Sequence, residues 1–164
     1  MKITKEDYLK RKDHTEAETF VEKCLKCLRK NKNCVCSKLI PFPTQTHFVF
    51  LMHPMEAKKE KVGTGRMTKA ALLNSQIIMG VDFTNDSEVN GLIQDSHNVC
   101  FLLYPGENAL NISQSELPAL QTVVGQKRLV LFLIDGTWPC AKRMMKESKN
   151  LHQLPRISFD VTQE

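Results

Sequence analysis

Six consecutive apolar residues, 129–134 (LVLFLI), end abruptly at Asp135-Gly136-Thr137-Trp138 and give way to a basic segment. A run this dense in Val, Ile, Leu and Phe predicts a strand covered on both faces, as in a parallel sheet. Thr137 is the expected N-cap of a helix that starts at Trp138. Pro139 is tolerated in its first turn because the missing N–H would have had no partner. Asp135 therefore sits where a buried strand hands over to a helix N-terminus, and open α/β sheets bind ligands at such places. The same residues also suit a plain turn, with Asp135 and Thr137 merely capping it.

The remaining pattern builds on that strand. Residues 46–52 (THFVFLM), 98–103 and 156–160 read as further strands, and 87–95 as a helix. Residues 67–79 are expected to form a helix ending at Gly80 as its C′ residue. Residues 107–126 are polar with short apolar pieces, which predicts a loop and a short helix. Near the start, Tyr8, Leu9, Ala17, Phe20, Val21 and Leu25 recur at helical spacing over residues 5–28. Thr15 and Glu18 suit a capping box where that helix restarts. Pro41-Phe42-Pro43 is a short, stiff link. Strands alternating with helices predict an α/β domain, residues 39–164, with a mostly parallel sheet flanked by helices, preceded by a helical appendage, 1–38. In a parallel sheet the strand ends at His53, Tyr104 and Asp135 share one edge. Each is followed by a loop bearing Pro or Gly (HPME, YPGEN, DGTWP), a combination that points to a pocket. His53 by itself reads as a hydrogen-bonded structural histidine.

Charge and cysteine placement add chemistry to this frame. Residues 1–38 carry 11 Lys and Arg against 6 Asp and Glu, whereas 39–164 carry 12 of each. The net positive charge thus belongs to the N-terminal segment, with a second local cluster at Lys142, Arg143, Lys146 and Lys149. Such clusters suit a polyanion, nucleic acid first, or else a solvated helix face. Four of the six cysteines fall together, as Cys24-x-x-Cys27 and Cys34-x-Cys36. Clustering of this kind, with no signal peptide before it, points to metal ligation rather than a disulfide framework. Four thiolates fit a structural tetrahedral Zn²⁺; free thiols or a redox role are the alternatives. No apolar run approaches the roughly 20 residues of a membrane span, so a cytoplasmic protein with no membrane association and no obligate protein partner is expected.

The segments CLKCLRKNKNCVC, HPME with GTGRMTKAALLNS, LLYPGENA and LIDGTWPCAKRMM, in this order, resemble the DTW-domain family, which Asp135, Thr137 and Trp138 name. Two positions depart from its pattern: Lys30 stands where Pro is usual, and Gly63 where Asn is usual before Thr-Gly-Arg. Members usually continue beyond the strand at 156–160, so the domain is expected to be short at its C-terminus. The resemblance implies a SPOUT-like fold and a tRNA-uridine aminocarboxypropyltransferase. Such an enzyme moves the 3-amino-3-carboxypropyl group of S-adenosylmethionine to N3 of a tRNA uridine, giving acp3U and 5′-methylthioadenosine. It further implies Asp135 as the catalytic carboxylate, acting as general base or electrostatically. Leu103, Tyr104, Pro105, Thr137 and Trp138 are then expected with the co-substrate, Trp138 stacking on adenine, on the target base, or simply on the core. Arg66, Lys142, Arg143 and Lys146 are expected at tRNA phosphates. Two rival readings are an RNA methyltransferase using the same co-substrate and a zinc-stabilised RNA-binding module without catalysis.

Overall fold

The computed structural model describes residues 24, 27, 29–58, 64–106, 108–113 and 117–160. Apart from Cys24 and Cys27, the helix expected over residues 5–28 lies outside them. The strands are β1 (His47–Met52), β2 (Ser75–Met79), β3 (Asn98–Leu103), β4 (Leu110–Asn111), β5 (Arg128–Asp135) and β6 (Arg156–Ser158). They form one sheet in the order β2-β1-β5-β3-β6-β4, and every pairing is parallel. The helices are α1 (Pro54–Lys58), α2 (Thr64–Ala71), α3 (Ser87–Gln94), α4 (Leu117–Val124) and α5 (Trp138–Glu147). The α/β architecture with helices flanking a parallel sheet is as the sequence pattern predicts. No helix among the described residues is long and apolar enough to cross a membrane.

The apolar run 129–134 is indeed the centre of the sheet, between β1 and β3. Its alternate residues serve two cores, as side chains two apart on a strand share a face. Val130 and Phe132 are fully buried with Val49, Leu51, Leu102, Val89 of α3 and Met144 of α5. Leu129 and Leu131 pack on the other face, against the cluster of Phe101, Ile157 and Leu120 of α4. The sheet is therefore covered on both sides, which explains why β5 lacks polar alternation.

The structure corrects several expectations. Residues 67–79 are not one helix: α2 ends at Ala71, and Ser75–Met79 form the edge strand β2. The break is local, because the Ser75 hydroxyl donates to the Leu72 carbonyl at 2.7 Å and closes the turn. Gly80 is thus no helix cap; it follows β2 and its N–H donates to the Met52 carbonyl at 3.1 Å. The Pro41-Phe42-Pro43 link is tied down, since Phe42 donates to Ala71 O at 2.9 Å and accepts from Leu73 N at 3.1 Å. Within 107–126 there is a two-residue strand, β4, as well as the short helix α4, and β6 stops at Ser158 rather than at Asp160. Asp86 caps α3 by accepting from Val89 N–H at 2.9 Å.

One buried hydroxyl pins α5 to the loop after β2. Ser148, fully buried, accepts from Phe83 N–H at 3.0 Å and faces Val81 O at 3.4 Å. Ser148→Ala would leave the Phe83 N–H buried and unpaired, so a loss of about 1–3 kcal/mol is expected in denaturant unfolding. An unchanged midpoint would mean that water replaces the hydroxyl.

Candidate active site

Because β1, β5 and β3 are adjacent and parallel, their C-terminal ends lie side by side. Met52 is in register with Asp135, and Leu103 with Leu133. The three loops predicted to share an edge therefore do so. The His53 N–H donates to Asp135 O at 2.9 Å, extending the β1–β5 ladder by one bond. His53 is buried, and its Nδ1 accepts from Met55 N–H at 3.2 Å, which places any ring N–H on Nε2 when the imidazole is neutral. The ring fixes the start of α1; this is the structural role the isolated histidine suggested.

Asp135 is half-buried at the end of β5. Burial, and to a lesser degree the negative charge of Glu56 on α1, raise its carboxyl above the usual aspartate value, while Arg66 on α2 acts in the opposite sense. A carboxylate raised in this way is a better proton acceptor than an exposed one. Its Oδ2 lies against Gly65 in the first turn of α2, where a side chain would otherwise start. A Cβ at residue 65 would collide with Asp135 Oδ2 and also meet Met52 Cε at 3.1 Å. The glycine of GTGR is thus a contact surface for the carboxylate, and it brings the helix N-terminus, with its partial positive charge, up to an anion. Gly65→Ala is expected to cost about 1–3 kcal/mol in overpacking and to push Asp135 aside. An activity that uses the Asp135 carboxylate should then fall by more than the lost stability explains. An alanine variant with unchanged turnover would show that this contact has no part in the chemistry.

Thr137 holds the N-cap position of α5, accepting Ala141 N–H at 2.8 Å through its carbonyl, but its side chain makes no cap bond. The N-cap falls where the sequence predicts it, with Pro139 in the first turn, although the hydroxyl takes no part in it. Leu103 packs into the second core, and Tyr104 N–H is used by Ile157 O at 3.1 Å. Pro105 has no N–H, and Gly106 O accepts from Ala109 N–H at 3.1 Å. Trp138 stacks on Tyr104, with ring centroids 6.0 Å apart and planes 11° from parallel. Lys142 lies over the indole at 5.4 Å, and Arg156 over the phenol ring at 5.5 Å. Arg143 and Lys146 are exposed on the same helix as Lys142. Glu56, Gly65 and Arg156 were given no role from sequence. HPME and GTGR did contain the first two, but only the fold places them beside residues so distant in the chain.

At the N-terminal end, the sulfurs of Cys24, Cys27, Cys34 and Cys36 all lie within 4.8 Å of one another, a group that could hold a metal ion. Cys27 and Cys34 Sγ are 3.8 Å apart, and Cys36 N–H donates to Cys34 Sγ at 3.4 Å. Burial and the neighbouring thiols push Cys36 up to about 12, so without a cation it stays protonated.

An all-parallel α/β domain with an acidic strand end flanked by two loops, and a four-cysteine cluster before it, defines a class. The DTW domain model matches residues 21–164, and the chain belongs to the DTW domain family. A curated relative, tRNA-uridine aminocarboxypropyltransferase 2 of Drosophila melanogaster, is 33% identical over 144 residues, covering 84% of this chain and 53% of that protein. The chain therefore spans about half the length of that relative. No solved structure shows a significant match.

Proposed function

We propose that this domain transfers the 3-amino-3-carboxypropyl group from S-adenosylmethionine to N3 of a tRNA uridine. The observation carrying this reading is Asp135: a half-buried carboxylate of raised proton affinity, at the C-terminal edge of the central strand, between the HPME and LLYP loops. The name of the Drosophila relative supports the same class of reaction. S-adenosylmethionine would supply an electrophilic carbon attached to a sulfonium. Asp135 would accept the N3 proton while N3 bonds to that carbon; the C–S electron pair returns to sulfur, leaving neutral 5′-methylthioadenosine. Arg66, Lys142, Arg143 and Lys146 would hold tRNA phosphates, which fix position without reading sequence.

The cysteine cluster would hold Zn²⁺. A tetrahedron with Zn–S bonds of about 2.3 Å has edges of about 3.8 Å, and the Cys27–Cys34 separation is 3.8 Å. Four protein ligands leave no open position, so the ion's role is structural.

The test is incubation of the protein with unmodified tRNA and S-adenosylmethionine, followed by mass spectrometry of the nucleosides and the by-product. Aminocarboxypropyl-uridine with methylthioadenosine is expected. S-adenosylhomocysteine would reassign the reaction to methylation. Bound tRNA with neither product would leave a binding module.

A further inference from the structure

Beside Asp135 stands a pair of rings that proton transfer does not use. Trp138 is 55% exposed, so its indole adds little to the core. Its stack on Tyr104 carries a cation over each ring, Lys142 on the indole and Arg156 on the phenol. The four side chains come from three elements: Trp138 and Lys142 lie one turn apart on α5, Tyr104 follows β3, and Arg156 opens β6. Arg156 is held in place, its guanidinium donating to Pro105 O at 3.5 Å. A Cβ on Gly106 would meet Arg156 Nη1 at 2.8 Å, so the loop glycine leaves room for the guanidinium.

We propose that the Tyr104–Trp138 stack seats an unstacked nucleobase of the RNA, and not the adenosine of the co-substrate. The inference rests on the reading of tRNA as substrate; it selects a base among the partners open to Trp138 and moves Tyr104 from the co-substrate to the RNA. Exposure is the first argument. Small-molecule sites bury most of their ligand, whereas an open ring suits a base that arrives attached to a strand. Charge is the second. Lys142 and Arg156 beside the rings attract phosphates and repel a sulfonium of the same sign. Mobility is the third. A lysine on a four-carbon stem can leave the indole face to the base and meet the phosphate of that nucleotide. Bases stacked on aromatic side chains are held with little regard to sequence, so the seat fixes an RNA segment near Asp135 without selecting it.

The chain has a single tryptophan, so indole fluorescence reports on this ring alone. Titration of the full chain with a short uridine-containing single-stranded RNA is expected to quench it. An abasic strand of the same length and phosphate charge should bind about tenfold more weakly and leave the emission unchanged. S-adenosylmethionine alone should also leave it unchanged. Trp138→Ala is expected to lose the same factor of about ten for the base-bearing strand, and Trp138→Phe to recover most of it; circular dichroism checks that both variants fold. Quenching by S-adenosylmethionine, equal affinity for both strands, or no binding of either would overturn the proposal. The transferase reading is judged separately by nucleoside analysis. Base-dependent quenching without modified uridine removes the reaction and keeps the seat, and modified uridine without such quenching does the reverse.

Discussion

Asp135→Asn is expected to lower aminocarboxypropyl transfer by about 10²–10⁴-fold, the range a positioned general base contributes. Transfer by the wild type should rise with pH through the carboxyl's raised proton affinity, because only the ionised form accepts a proton. Glu56→Gln removes a negative neighbour that raises the Asp135 carboxyl, so its acid limb should move to lower pH. Co-substrate affinity separates two roles for the aspartate. It should be kept by Asp135→Asn if Asp135 is a base, and weakened if its charge instead holds the sulfonium or the amino group. Stability should move the other way. A carboxyl raised on folding contributes stability below the unfolded aspartate value, and that contribution is lost as pH rises through the folded value. Above the folded value the wild type carries an ionised group that its surroundings disfavour, and asparagine does not. The variant should therefore melt no lower than wild type there, with its advantage shrinking in acid. Wild-type transfer by Asp135→Asn would reject both roles.

Chelation of the Zn²⁺ proposed at the cysteine cluster is expected to unfold the segment from Cys24 to about Lys38 while the sheet survives. Metal binding to four thiolates is worth on the order of 10 kcal/mol in small modules, and the described residues of this segment bury little else. Its 3₁₀ turn, Asn31–Asn33, buries no residue, and Cys27 is the buried side chain of the cluster. Unfolding should stop at Phe42, where two backbone bonds to the turn after α2 tie the chain to the sheet. Limited proteolysis after chelation, with zinc content followed by elemental analysis, should give cleavage confined to residues before that point; Cys27→Ser should behave alike without chelator. An unchanged digest from protein shown to be metal-free would sink the structural role.

The parts of the fold that were legible are those written in consecutive residues. β5 announces itself as six apolar residues, and its abrupt end at Asp135 marks the site. β2 was missed because five residues after a helix, with only two β-branched side chains, give no periodicity to separate strand from helix. β4 has two residues and exists only through its pairing with β6. At the site, Asp135 and its neighbouring loops could be read, since parallel strands must share an edge. The contact of Gly65 with the carboxylate could not, because it joins residues 70 positions apart and no local pattern encodes it. Thr137 was legible too: the local rule places the N-cap at the right residue, although backbone geometry rather than the hydroxyl makes the cap.

The strand at the middle of the sheet is also nearly the last to be made. β1 and β3 do not touch; each pairs with β5, which leaves the ribosome after both. Until then the nascent chain holds two apolar strands with a strand-wide gap between them and unpaired edges facing it, a state prone to wrong partners. Closing the gap joins segments distant in sequence, which slows folding. The same event brings His53, Tyr104 and Asp135 to one edge. A chain released before residue 135 lacks the strand that joins β1 to β3, and it should be found with chaperones or in aggregates.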